Sequence, residues 1–410
     1  MQKATRIEGA ITAPRGYRAA GVAAGFKKSG APDLALIVSD RPAMAAGAFT
    51  KNVFAAAPVR YDRRILAAGQ PVQAVLVNSG NANACTGAQG DRDVNLSAAY
   101  TAKTLDLAPE QVLISSTGRI GVPLPMDRIR KGIDLAAKAL SEDGGLDAAQ
   151  AIMTTDTRPK HIAVELPIGG QTVRIGGITK GAGMIAPALR LCPAEATMLS
   201  YISTDAAIQR EALEAAVSEA IELSFNRITV DGDMSTNDTL VVMANAAAEN
   251  AVIVTNTPAY EAFRQALIDV LAHLAREMVL DGEGVTRFVE LTVRGALSDA
   301  DARTCAEAIA NSVLCKTAWF GADPNWGRIL CAAGYSGIQI DPDAVSLTYG
   351  NVPIVRNGVD AGSPVEAQIQ AIDRREFGIE LDLGLGDGAF TVWTCDLTYE
   401  YVKINADYHT

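Results

Sequence analysis

The sequence predicts an α/β protein, and three observations carry that expectation. Short β-branched runs such as Gln73–Val77 alternate with amphipathic helical stretches such as Met126–Leu140. Hydrophobic residues make up 49% of the 410 residues, enough for a large core. Aromatics are only 5%, so that core must rest on Ala, Val, Ile and Leu. A chain of this length should hold two or three domain-sized units, and neither low-complexity sequence nor a short tandem repeat is visible.

Taken in order, Gln73–Val77 reads as a buried strand emptying into the uncharged loop Asn78–Gly87. Asp91–Leu105 reads as a helix stopped by Ala108-Pro109, and Val112–Ser115 as a strand ending at Ser116-Thr117-Gly118. Helical spacing returns over Met126–Leu140 and Ala148–Met153. His161–Leu166 and Thr172–Ile178 form a hairpin around Gly169-Gly170, and Thr197–Ile202 is the next strand. Ile208–Leu223 and Pro258–Leu280 are long amphipathic helices, with strands expected on both sides of Asp231-Gly232-Asp233. The texture changes after Arg287: strand Phe288–Val293 precedes a helix over Asp299–Asn311. Ser363-Pro364-Val365-Glu366 has the form of a capping box with proline at the first helical position. Strands Phe377–Leu383 and Phe390–Val402 close the chain around Gly386-Asp387-Gly388. Gly384–Gly388 lacks the following helix of a phosphate loop and reads as a hairpin turn.

Composition narrows the function. A formal charge of −11 and the lack of a Lys/Arg run exclude non-specific nucleic-acid binding. Charges at Lys3, Arg6 and Glu8 stand where a signal peptide needs an apolar stretch. No apolar segment approaches the roughly 20 residues of a membrane span, so a cytoplasmic protein is expected. The six cysteines form no C-x-x-C pair, which favours buried thiols over disulfides or a zinc site. The three histidines lie far apart in sequence, leaving little material for a His triad or metal cluster. Neither cofactor nor metal is expected. Asp231 and Asp233 are the second choice for a cation, behind a structural loop.

The segment richest in chemistry is Lys180-Gly181-Ala182-Gly183-Met184-Ile185-Ala186-Pro187, followed by Glu195-Ala196-Thr197-Met198-Leu199. Threonine is a poor nucleophile without an adjacent base. Cutting the chain before it supplies one, because the new α-amino group takes the hydroxyl proton. Such an amine titrates at about 7.7–8.0. Ala196–Thr197 is therefore the candidate bond for self-cleavage and Thr197 the candidate nucleophile. A simple hairpin turn is the alternative. Acyl transfer also needs donors for an oxyanion. Thr117-Gly118 can supply a hydroxyl and an unshielded N–H, or be a plain turn with a capping Thr.

Several further segments tip the balance by resemblance. Asn78–Gly87, Ser116–Gly121, Met153–Thr157, Asp281–Gly284, Phe320–Arg328 and Gly334–Gly337 resemble, in order, those of the ornithine acetyltransferase family. The likeness runs from near residue 20 to the C-terminus. It implies a layered α-β-β-α sandwich with a smaller C-terminal α/β lobe from about residue 288. It also implies processing into an α chain of 1–196 and a β chain of 197–410. In that family Thr117 and Gly118 would form the oxyanion hole. Thr154, Lys180, Thr197, Glu283, Asn405 and Thr410 would contact substrate, Thr154 and Thr155 being indistinguishable by spacing. Lys180 could pair with an amino-acid carboxylate, and Glu283 with an ammonium. The expected reaction moves acetyl from N2-acetylornithine to glutamate by a ping-pong route, with acetyl-CoA a possible second donor. Two α and two β chains are the expected assembly.

The alternatives are a self-processed aminopeptidase or amidohydrolase, and an unprocessed paralogue that binds an amino acid without turnover. One departure stands out: the stretch Ala188–Glu195 is several residues longer than the family's usual spacing. It either bulges harmlessly or slows processing, since misplacing reacting atoms by about 1 Å can cost about 10²-fold.

Overall fold

The computed structural model describes residues 4–187, 189–191 and 198–407, and divides into two compact units. The first runs to Asn226 and takes in Met234–Met278; the second comprises Arg227–Asp233 and the chain from Val279.

The first unit is built on ten strands: β1 (Thr5–Ile7), β2 (Tyr17–Val22), β3 (Leu34–Phe49), β4 (Val72–Asn81), β5 (Val112–Arg119), β6 (Lys160–Ile168), β7 (Gln171–Lys180), β8 (Arg190–Leu191), β9 (Leu199–Thr204) and β10 (Thr239–Ala244). Their order is β1-β6-β7-β9-β10-β3-β4-β5, with β2 and β8 also on β3. The long strand β3 explains the layering. Its apolar ends are buried, whereas Asp40, Arg41 and Pro42 in the middle are exposed. Proline cannot donate to a ladder, and the partners change there. Leu34–Ser39 pairs with β2, and β4 pairs along the same half. Met44–Phe49 pairs with β10. One strand thus serves both layers, whose residues share a single core that includes Leu36, Val75, Tyr201 and Val241. The Tyr17 hydroxyl ties them by donating to the Met243 carbonyl at 2.8 Å.

Helices α1 (Ala57–Ala67), α2 (Gly87–Leu105), α3 (Met126–Ala139) and α4 (Gly145–Ala151) contribute to that core. Helix α2 starts a turn earlier than expected and stops at Asp106, which takes the left-handed conformation while Leu107 N–H reaches the Ala102 carbonyl. Helices α5 (Arg210–Glu222) and α6 (Pro258–Leu280) complete the set. Close approach of α6 to the sheet is permitted by Gly177, where a Cβ would lie 2.9 Å from Leu274 Cδ1. Strands β9 and β10 are parallel and buried along their whole length, the pattern of central strands covered on both faces.

The second unit holds β11 (Phe288–Ala296), β12 (Ser346–Tyr349), β13 (Val352–Arg356), β14 (Val359–Asp360), β15 (Glu376–Asp382) and β16 (Gly388–Cys395), in the order β14-β13-β12-β15-β11-β16. Its helices are α7 (Asp299–Ala310), α8 (Val313–Phe320), α9 (Trp326–Gly334), α10 (Val365–Ile372) and α11 (Tyr399–Asp407). Ser298 and Ser312 cap α7 and α8 by accepting from the N–H groups of Asp301 and Cys315.

The second unit corrects several expectations. Gly384–Gly388 is no hairpin turn, because β11 lies between β15 and β16. The segment instead crosses the Ala296–Ser298 corner so closely that a Cβ on Gly388 would sit 2.3 Å from the Ser298 carbonyl carbon. Strand Phe390–Val402 ends at Cys395. The Thr398 hydroxyl then accepts from Tyr401 N–H at 3.2 Å, and the chain enters α11. Ser363 does not cap α10: its hydroxyl donates to the Pro353 carbonyl, and Pro364 occupies the N-cap. Ahead of Asp231 stands a 3-10 turn, Phe225–Arg227, where a strand was expected. Cys305, Cys315 and Cys395 are buried as expected, but Cys85 and Cys331 are exposed.

Candidate functional site

Strand β5 runs out at Thr117-Gly118 inside a frame of asparagines. Asn78 accepts from Ser116 Oγ at 2.7 Å, and Asn237 Nδ2 donates to the carbonyls of Ala82 and Ser116 at 2.6 and 2.8 Å. Asn81 donates to Val122 and Pro123, and accepts from the N–H of Asn83. Most of these amides are buried, so each must be paired to avoid a desolvation cost of about 1–3 kcal/mol. The Asn78–Gly87 loop is thus a rigid mount for the end of β5. Gly118 has φ +127, opposite Gly80, and a Cβ there would lie 2.5 Å from the Gly80 carbonyl carbon. Only glycine fits.

Lys180 ends β7, directly in register with Leu199 of β9, and is 8% exposed. Its Nζ donates to Thr117 Oγ1 at 3.4 Å. Because the hydroxyl accepts from the ammonium, its own proton stays available for another acceptor. The next residue, Gly181, has φ +149 and donates its N–H to Asp156 Oδ1 at 2.7 Å. A Cβ there would meet Ile185 and Met278 at 2.8 and 2.9 Å.

Asp156 organises the loop after α4. It accepts from Lys160 Nζ at 2.6 Å and from the Thr154 N–H at 2.9 Å, in addition to Gly181. Burial would raise its carboxyl, but the Lys160 and Lys180 charges and these hydrogen bonds prevail and hold it well below the usual range. Thr154 is half-buried with its backbone fixed by Asp156, as is its neighbour Thr155 in burial.

Two more charged groups reach this cluster without having been expected. Lys27 is lowered by burial, against the pull of Asp33 and Asp156 and with the push of Lys180. Its loop is pinned by Asp33, which accepts from the N–H groups of Ala24, Gly25 and Lys27. Asp238, 1% exposed, immediately precedes β10 and feels the charge of Lys180. Asp156 had a readable signal, an acid flanked by hydroxyls in a loop. Lys27 and Asp238 had none, because their burial comes from chain segments distant in sequence.

Of the remaining expected site residues, Glu283 and Asn405 belong to the second unit. Glu283, 7% exposed, accepts from Asn405 Nδ2 at 2.7 Å. The loop that carries Glu283 is bound to the start of α11, since the Thr398 hydroxyl donates to the Gly284 carbonyl at 2.9 Å. Asp231 is engaged by the Tyr401 hydroxyl at 3.1 Å and by the N–H of Asp233 at 3.2 Å, a loop-forming pattern. Burial, then the Asp231 charge, pushes the Tyr401 phenol well up. Ala196, Thr197 and Thr410 lie outside the described residues. Among the described residues no group of three or more His, Cys, Asp or Glu could hold a metal, and no helix is long and apolar enough to cross a membrane.

A glycine-bordered hydroxyl held under a buried ammonium can donate to an oxygen on which negative charge develops, as acyl transfer requires. That is the class the first unit's site defines. The chain matches the ArgJ family over residues 18–410, and it belongs to that family. It is 49% identical over 406 residues to the arginine biosynthesis bifunctional protein ArgJ of Symbiobacterium thermophilum, covering 98% of this chain and 99% of that one. The protein of the same name from Geobacter sulfurreducens is 49% identical over 397 residues, with 97% and 99% covered. Among solved structures, the ornithine acetyltransferase of Mycobacterium tuberculosis complexed with ornithine is 43% identical. It covers 46% of this chain and 100% of its own, with a TM-score of 0.43.

Proposed function

We infer that the chain is an N-terminal-threonine acyltransferase of arginine biosynthesis, moving acetyl from N2-acetylornithine to glutamate. The observation that carries this reading is the Lys180–Thr117 contact, on the strand rung that begins at Leu199, immediately downstream of Ala196-Thr197-Met198. Family membership and the names of the relatives support it.

The steps follow from the residue chemistry. Cleavage before Thr197 frees its α-amine. Thr197 Oγ attacks the acetyl carbonyl as the amine takes the hydroxyl proton. Thr117 and Gly118 donate to the oxyanion. The C–N bond breaks, the proton passes to the leaving amine, and ornithine departs. The glutamate amine then attacks the Thr197 ester and releases N-acetylglutamate. By the family resemblance, Thr154, Lys180, Glu283, Asn405 and Thr410 are each proposed as substrate contacts. The processed chains, 1–196 and 197–410, are proposed to assemble as two of each in the cytoplasm.

Mass spectrometry tests the reading. The purified protein should give two fragments breaking before Thr197, and acetylornithine alone should add one acetyl group to the larger-numbered chain. Thr197→Ala should stay full length and transfer nothing; a variant still split at 196 would remove Thr197 as the nucleophile.

A further inference from the structure

The stretch Ala188–Glu195, longer than the family's usual spacing, leads directly to the Ala196–Thr197 bond. Its described part, Leu189–Leu191, does not bulge. Leu189 is 0% exposed, and a buried backbone N–H or carbonyl must find a partner. At Leu189 both find the same one, the side chain of Asn226. Its Oδ1 accepts from the Leu189 N–H, and its Nδ2 donates to the Leu189 carbonyl at 2.7 Å. The amide thus takes the place of a neighbouring strand. Asn226 sits in the 3-10 turn after α5, is 5% exposed, and also donates from Nδ2 to Glu222 Oε1. The two partners lie on opposite sides of the candidate bond, Leu189 within 1–196 and Asn226 within 197–410.

From this clamp the chain enters β8, and the register places both ends of the following segment on one row of the sheet. Arg190 lies opposite Phe49, Phe49 opposite Thr239, and Thr239 opposite Leu199. Neighbouring strands are about 4.8 Å apart, so crossing from β8 over β3 and β10 to β9 takes about 14 Å. The chain from Arg190 to Leu199, at about 3.3 Å per residue, can span about 30 Å. The connection is therefore about twice as long as its gap, and its length alone does not place the bond it carries. Placement falls to the anchors. Downstream, the carbonyl of Met198, the residue after Thr197, accepts from the Thr239 N–H at 2.6 Å. Upstream, the anchor is the two-residue strand β8 with Asn226 behind it.

We propose that Asn226 is a positioning residue for self-cleavage: by holding Leu189 it fixes the upstream end of the segment that presents the Ala196 carbonyl to the Thr197 hydroxyl. This rests on the assignment of Thr197 above. In the step served, Thr197 Oγ adds to the Ala196 carbonyl carbon and the C–N bond breaks, the nitrogen taking the hydroxyl proton. Water then hydrolyses the resulting ester, leaving a carboxylate on Ala196 and a free α-amine and hydroxyl on Thr197. Asn226 acts through the backbone of Leu189.

The deciding measurement is the half-time of cleavage after cell-free synthesis of the full chain, read by mass spectrometry. Asn226→Asp keeps the oxygen that accepts from Leu189 and replaces the donor with a second oxygen. It should slow cleavage by about 10²-fold, the scale of a reacting group misplaced by about 1 Å. Doubling the length of a loop costs only about threefold, so a slowing of that size or less overturns the proposal. The fraction that has cleaved should keep the parent's kcat and KM; an equal fall in kcat makes the loss a general one and also overturns it. Asn250 supplies a matched control. It is 6% exposed and holds Ala207 by the same pair of bonds, at 2.9 and 3.1 Å. Asn250→Asp should lower Tm as Asn226→Asp does, yet cleave at the parent's rate. Equal slowing in both variants reduces the effect to stability and sinks the positioning role.

Should Asn226→Asp not fold, hydrogen exchange in full-length Thr197→Ala decides. The Leu189 N–H should exchange as slowly as the amides of β10, and rapid exchange there overturns the clamp. A parent chain that stays intact defeats the Thr197 assignment, and this proposal with it. A parent that cleaves while Asn226→Asp keeps pace defeats this proposal alone.

Discussion

Two aspartates act on Lys180 from contrasting surroundings. Asp156, on the loop leading into β6, receives donors from Lys160, Thr154 and Gly181; Asp238, at the start of β10, has an oxygen that receives none among the described residues. Both are almost fully buried, yet one carboxyl is pulled well below its usual range and the other pushed well above it. Burial alone therefore does not set the state of an acid in this protein. The donors aimed at it do, and they also decide whether the acid builds the site or burdens it.

The largest expected effect lies on the Asp156 side. Asp156→Asn removes the anion 2.6 Å from a Lys160 that is 1% exposed. Breaking one member of a buried pair costs about 3–5 kcal/mol, to be read as a lower urea midpoint. The pH dependence adds a signature. A carboxyl depressed on folding contributes stability that is present above its unfolded pKa of about 3.9 and disappears as pH falls through the folded value. The parent should carry that acid-limb loss and the variant should lack it. A variant as stable as the parent at pH 7 would show that the three donors do not hold the loop.

A smaller effect is expected where the cluster meets chemistry. Thr117→Ala keeps the Asn78–Asn83 frame and Gly118 but removes the hydroxyl that accepts from Lys180. One lost oxyanion donor typically lowers kcat by about 10²–10³-fold, roughly 2.7–4 kcal/mol of barrier. KM should remain close to the parent's. If KM alone rises, Thr117 belongs to substrate binding, and the ammonium above it is a recognition group.

The same contrast explains what was legible in the sequence. Strands β4 through β7 and helix α6 were readable because apolar runs end at glycine or proline, a local signal. Thr117-Gly118 and Lys180 were readable as strand-end residues. The order β15-β11-β16 was not, because adjacency in a sheet is set by partners far away in the chain, and Gly384–Gly388 looks locally like a turn. Helix α11 was hidden by a β-branched and aromatic run, Phe390–Val402, in which Thr398 imposes the cap. Asp238 was invisible for a third reason: an acid before an apolar strand looks like a solvated loop residue until Thr50 and Met198 are seen to enclose its backbone.

A third buried acid sharpens the comparison with the smallest effect. Among the described residues Asp62, 0% exposed, has one donor, the Ile114 N–H at 2.8 Å on Oδ1, and an Oδ2 without a partner. It stands between Asp156 and Asp238 in number of donors. Burial raises it well above the usual range, with the Ile114 bond opposing. Asp62→Asn keeps the acceptor that Ile114 uses, so near pH 4 the change in stability should stay within about 1 kcal/mol, the net worth of one hydrogen bond. Above the unfolded pKa the sign is fixed. A carboxyl raised on folding contributes stability at low pH that is lost as pH rises toward the folded value. The parent pays that loss and the amide does not, so the variant should gain on the parent from pH 4 to 8 in urea titrations. A pH-independent loss of more than about 2 kcal/mol, the scale of a broken buried network, would mean that Asp62 is held by more than Ile114. Ranking these acids by their donors would then fail.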